Sequence, residues 1–145
     1  MSISKKQYDN MVKKASPPSR VIRNIVFAFL IGGIICTLGQ IVNMCYNFYF
    51  KSTEETATLT SMTMIFLGAL LTGLNVYDDI AKYGGAGTLV PITGFANSIV
   101  SPAIEFRTEG YILGVGANMF KIAGPVLVYG ISSSVVYGMI YYFMR

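Results

Sequence analysis

GYILGVGANMFKIAGPVLVYGISSSVVYGMIYYFM, Gly110 to Met144, decides the fold of this chain. A single charge, Lys121, divides it into an 11-residue run (Gly110–Phe120) and a 23-residue run (Ile122–Met144), both uncharged. As one straight helix the whole stretch would measure about 52 Å, against a hydrocarbon core of about 30 Å. Gly114, Gly116, Gly124 and Pro125 cluster around the lysine, so the backbone is expected to break there. A cation beside irregular backbone at membrane depth lines a polar path or a binding site rather than facing lipid. A conduit for anions or chelated ions is the sharpest functional expectation that follows.

The rest of the chain has the same character. Of its 145 residues 53% are hydrophobic and 12% charged, with a mean hydropathy of +0.55. A soluble domain averages about 25% charged residues. Further uncharged runs cover Asn24–Phe50 (27 residues), Thr56–Tyr77 (22) and Tyr83–Ile104 (22). Each is long enough to cross a bilayer at about 20 residues per helix. The fold expected is an all-α integral membrane protein, with three to four transmembrane helices and one or two broken or re-entrant segments.

Charge sets the orientation. Lys5, Lys6, Lys13, Lys14, Arg20 and Arg23 against Asp9 give the front end a net +5, whereas Lys51, Glu54 and Glu55 give the next loop a net −1. Positive-inside logic puts the N-terminus in the cytoplasm. Residues 1–20 are read as a basic cytoplasmic arm, helical in part up to Pro17-Pro18, and 21–145 as one transmembrane domain. The arm is assigned to orientation and anionic headgroup contact, not to nucleic acid. The first apolar run is too long for a cleaved signal peptide, and Ile34-Ile35 before Cys36 lacks the small residue of a lipoprotein site. Cys36 and Cys45, nine residues apart, fall on opposite helix faces and pack rather than pair.

Three spans carry faces suited to helix contact. Gly33, Cys36, Gln40, Asn43 and Asn47 recur at spacings of 3 and 4 in the first; Gly68, Thr72, Asn75 and Asp79 do so in the second. Gly130, Ser134 and Gly138 form a small-residue ladder in the last, which ends in Tyr141, Tyr142 and Arg145. Self-association or a partner subunit is the expectation. The Tyr83–Ile104 run differs in kind: Gly84, Gly85, Gly87, Pro91, Gly94 and Pro102 make it poor material for an unbroken helix. Paired broken segments build midplane sites in many transporters.

Chemistry is constrained by what is missing. The sequence has no histidine, which removes His-based nucleophile arrangements and His-containing zinc sites. No phosphate-cradling glycine motif is complete. No enzyme, cofactor or metal site is called for. Lys121 has two readings that stay open, a snorkelling interfacial cation or a polar-site cation accompanied by Asn118. Thr93 and Asn97 in the broken run and Gln40 in the first span are the other solute-pathway candidates. Asp78 and Asp79 end the second uncharged run; a solvated Asp78–Lys82 pair is preferred over a cation site at a pore mouth. Glu105, Arg107 and Glu109 are read as an exposed loop.

Three stretches, Ala28–Gln40 (AFLIGGIICTLGQ), Gly84–Ser98 (GGAGTLVPITGFANS) and Gly110–Gly130 (GYILGVGANMFKIAGPVLVYG), resemble the stage V sporulation membrane proteins of the SpoVAC/SpoVAE group. The resemblance covers about residues 21–145, and the basic arm points to the AC branch. It implies a spore inner-membrane channel subunit that moves dipicolinic acid with calcium during sporulation and germination, with mechanosensitive behaviour. The implied partners are the stage V sporulation A proteins of the AD and AE types. Three or four short elements cannot enclose a pore for a planar dianion alone, so an oligomer or hetero-oligomer is expected. The rival readings are a non-conducting structural subunit and a small exporter.

Overall fold

The computed structural model describes residues 5–15, 20–50 and 52–145, and among these the regular structure is helical throughout. Helix α1 is Lys5–Ala15, α2 Val21–Tyr49, α3 Thr53–Gly73, α4 Val76–Gly84, α5 Ala86–Leu89, α6 Ile92–Glu105 and α7 Ala117–Met144. A 3₁₀ turn, Phe106–Glu109, and a π-helical turn, Tyr111–Gly116, join α6 to α7. The proline pair and Lys51 lie outside the described residues. Three helices are long and apolar enough to cross a membrane: α2, α3, and the π turn with α7.

Helices α2 and α3 form an antiparallel hairpin. Gly39 faces Met64 while Asn43 Nδ2 donates to Thr60 Oγ1 at 3.2 Å, so positions rise on one helix as they fall on the other. Ser52 opens α3 as its N-cap, its hydroxyl accepting from the Glu55 amide, and Glu54 and Glu55 in the first turn suit the helix dipole. The helix ends at Gly73, where Asn75 takes the left-handed conformation at φ 58°. Asn tolerates this region better than most residues with a Cβ.

The expected breaks in the 83–104 run are present. Gly85, at φ 47°, separates α4 from α5, and the chain turns again at Val90-Pro91 before α6. Helix α5 lies on α2 through Gly87 against Ala28 and Gly32. Helix α6 lies on α3, with Gly68 against Thr93 and Thr72 against Asn97 one turn further along both helices. The two therefore run in the same direction. Residues 74–91 must carry the chain back before α6 descends again. Three helices of membrane-crossing length and composition, an odd number, would put the start of α2 and the end of α7 on opposite faces of a bilayer.

The centre is built from small and hydroxylated residues. Buried side chains include Thr56, Thr72, Thr88, Thr93, Ser98, Ala96 and Ala123, with Met64 and Tyr77 the large ones. Phe29, Phe48, Leu113 and Phe143 point outward. This is the arrangement expected where lipid is as apolar as leucine, so that close backbone approach and hydrogen bonds drive helix association. A Cβ on Gly68 would stand 2.9 Å from the Thr93 carbonyl oxygen and 3.0 Å from its Cα, so only glycine lets α3 and α6 meet.

Two sequence expectations change here. The backbone does not break at Lys121: α7 runs through it and through Pro125, and the irregular backbone comes earlier, where the Val115 amide donates to the Gly110 carbonyl at 2.9 Å. Regularity survives because a proline costs one backbone bond and local crowding, which a long helix absorbs in apolar surroundings. The α2 stripe is not the face that packs within the chain. Gly33, Cys36 and Gln40 are exposed, and α2 contacts its neighbours through Ala28, Ile31, Gly32 and Gly39, with Asn43 common to both.

Gly68→Ala is expected to destabilise the detergent-solubilised protein by about 1–3 kcal/mol, whereas Gly73→Ala, with open space around its Cβ, does not. Thermal unfolding followed by circular dichroism checks both. Reporter fusions at residues 5 and 145 are expected to label opposite sides of the membrane; labelling on one side would refute the three-crossing topology.

Candidate functional site

Buried polar side chains of α3, α4, α5 and α6 converge in one place, apart from the Asn43–Thr60 and Tyr46–Thr63 pairs that join α2 to α3. The Tyr77 hydroxyl donates to the Thr88 carbonyl at 2.7 Å and lies 3.0 Å from the Thr93 hydroxyl. The Thr72 hydroxyl donates to the Gly68 carbonyl at 2.7 Å and the Asn97 Oδ1 at 2.9 Å, a shared bond. Tyr77, Thr72, Thr88 and Thr93 are each at most 5% exposed. Among the described residues no buried side-chain nitrogen or oxygen lacks a partner. The breaks at Gly85 and Pro91 free backbone groups that a continuous helix would use, and this network serves the Thr88 carbonyl among them.

Thr93 and Asn97 of the sequence candidates fall in this cluster. Tyr77 and Thr88 were missed. Tyr77 closes an apolar run, where a tyrosine reads as an interfacial anchor, and no local pattern reports that its hydroxyl reaches 11 and 16 residues ahead. Thr72 was legible as a member of the α3 stripe, but Asn75 and Asp79 leave that stripe because the helix has already ended.

The other candidates lie apart. Lys121 is exposed on α7, its Nζ donating to Asn118 Oδ1 at 3.3 Å. Asn118 Nδ2 donates to the Gly114 carbonyl at 2.8 Å, stitching the π turn to α7. Pro125 cannot donate to the Lys121 carbonyl, four residues back, so the helix lacks that backbone bond at the level of the cation. From Ile122 to Met144 the helix measures about 34 Å, about the thickness of a hydrocarbon core. Gln40 is exposed on the outward stripe of α2.

Asp78 and Asp79 occupy the first turn of α4 rather than the end of α3, so they complement a helix dipole instead of opposing it. The ion pair is Lys82 with Asp79, at 2.7 Å, and not with Asp78 as the four-residue spacing predicts. The Asp79 carboxylate holds the Lys82 ammonium above its usual range, first through that hydrogen bond and then through its charge. Glu105, Arg107 and Glu109 are exposed at the 3₁₀ turn. Cys36 and Cys45 are free thiols on the surface. No cluster of metal-ligating side chains occurs among the described residues.

Comparison with known proteins bears on what this arrangement serves. Residues 24–140 match the family model described as SpoVAC/SpoVAEB sporulation membrane protein. Stage V sporulation protein AC of Bacillus subtilis (strain 168) is 45% identical over 141 residues, covering 97% of this chain and 94% of that protein. No solved structure matches. The AC branch expected from the basic arm accords with that relative, and the chain belongs to the SpoVAC/SpoVAEB family of sporulation membrane proteins.

Proposed function

We propose that this chain is a subunit of a conduit in the spore inner membrane that moves dipicolinic acid with calcium, inward during sporulation and outward at germination. The observation that carries the reading is a broken apolar segment held between membrane-crossing helices by hydroxyl and amide side chains. Irregular backbone at membrane depth is tolerated where protein buries it or where it lines a polar route, because lipid would leave its groups unpaired. The solute is a planar dianion whose calcium chelate is compact and polar. Amides, hydroxyls and one lysine hold such a species weakly enough to let it go.

The conduit is an assembly. Every side chain from Pro125 to Arg145 is exposed, and Gly130, Ser134 and Gly138 form an uncovered ladder along that stretch. The outward stripe of Gly33, Cys36 and Gln40 on α2 is also free to meet another helix. Stage V sporulation A proteins of the AD and AE types are the partners proposed, and mechanical stress on the bilayer the opening stimulus. In this assembly Thr93 and Asn97 stand beside the route, Lys121 with Asn118 and Gln40 flank it, and Asp78 and Asp79 sit at its mouth on the side where the N-terminus lies in the cytoplasm.

A non-conducting structural subunit is the second reading. The complete satisfaction of the buried network favours it, since a scaffold needs no spare polar group. A proton-coupled exporter fares worse, because Asp78 and Asp79 lie outside the three crossing helices.

Liposomes loaded with dipicolinate separate the first two readings. The chain, alone or with its AD and AE-type partners, is expected to release dipicolinate on osmotic downshock. Lys121→Met and Asn97→Leu are each expected to lower that release by about tenfold, as loss of about 1.4 kcal/mol of solute stabilisation would. Unaltered release by both variants refutes the pathway, and no release from any combination leaves the scaffold reading standing.

A further inference from the structure

Where α2 begins, two helices place three cations around one cleft. Arg20 and Arg23 come from the start of α2 and Lys82 from the last turn of α4; with Asn24, Phe27 and Tyr83 they line a cavity of about 160 Å³. The Arg23 guanidinium lies 5.5 Å above the Phe27 ring, which fixes the arginine against its own helix. Asp79 takes one donor of Lys82, leaving the cluster a net positive charge. A second cleft, of about 400 Å³, shares Asn24, Lys82 and Tyr83 and continues over Val21, Ile25 and Ala28. Polar cavity and apolar cleft are thus joined end to end.

We infer that these two clefts form a binding site for one anionic glycerophospholipid, its phosphate among Arg20, Arg23 and Lys82 and the start of an acyl chain along Val21, Ile25 and Ala28. Depth favours a lipid over a soluble anion. The cations stand at the head of the 27-residue uncharged run Asn24–Phe50, the level of the headgroups. A free phosphate or dicarboxylate would make no use of the apolar cleft. The site differs from the general attraction of a basic arm, because Lys82 comes from α4 and borders the turn at Gly85. A bound headgroup therefore ties the broken segment to the start of α2. The inference rests on the membrane reading and not on conduction.

The test is lipid retention by the purified full-length chain, read by native mass spectrometry and by thermal shift in detergent. Phosphatidylglycerol is expected to be retained and to raise the midpoint, and phosphatidylcholine to do neither. The double variant Arg23→Gln/Lys82→Gln is expected to weaken phosphatidylglycerol binding by about tenfold or more, while Arg145→Gln, at the far end of the chain, leaves it unchanged. Equal retention of both lipids by the unmodified protein would overturn the inference, whatever the variants do. So would inorganic phosphate or dipicolinate giving the same shift at similar concentration, since the site would then belong to a soluble anion. Release of dipicolinate from liposomes is a separate readout, so failure here does not touch the proposed conduit.

Discussion

The Tyr77 hydroxyl, 2.7 Å from the Thr88 carbonyl, is the contact on which the middle of this protein depends. Chain that turns at Gly85 and Pro91 gives up helix hydrogen bonds, and hydrocarbon offers no substitute. Tyr77 takes up one freed carbonyl and places its oxygen beside Thr93 at the first turn of α6. Thr72 and Asn97 repeat the device one turn away. Gly68 makes both possible by letting the two backbones approach. Removing the glycine would separate the helices before it altered any polar group, which is why a residue with no side chain ranks with the hydrogen bonds.

These contacts also explain why the broken segment is ordered without a hydrophobic core. Interhelical hydrogen bonds in membranes average about 0.6 kcal/mol, so no single one holds the unit. The unit is held by having none missing. A polar group that faced a solute in one state would be paired within the protein in another, and Thr93 and Asn97 have such pairings here. Satisfaction in this state is therefore compatible with a route through the same residues, provided the helices shift relative to one another.

The crossing helices were legible in the sequence because runs of 22 to 27 residues without a charge are stable in hydrocarbon and ill suited to water. The broken segment was legible because glycine and proline act locally. The failures have separate causes. Periodicity gives the angle of a stripe around a helix but not which neighbour it meets, so Gly33, Cys36 and Gln40 read as an inner face and lie outside. The end of α3 hid in an apolar run, where Leu74-Asn75 carries only the weak signal of an asparagine able to turn left-handed. Asp79 rather than Asp78 pairs with Lys82 because both three- and four-residue spacings bring side chains together on a helix, and spacing alone does not choose. The site was half legible: Thr93, Asn97 and Thr72 announce themselves as polar residues among apolar ones, while Tyr77 does not.

The bare outer part of α7 has a mechanical consequence. From Pro125 onward this rod is exposed along its whole length, so within one copy its inclination is set by its anchors and by the thickness of the sheet it crosses. Tyr141, Tyr142 and Arg145 form an aromatic and basic end on one side, and Lys121 stands near the other. The rod joins the rest of the chain at the π turn, next to α6. The bare rod is thus joined along the chain to the rest of the protein through a stretch of irregular backbone.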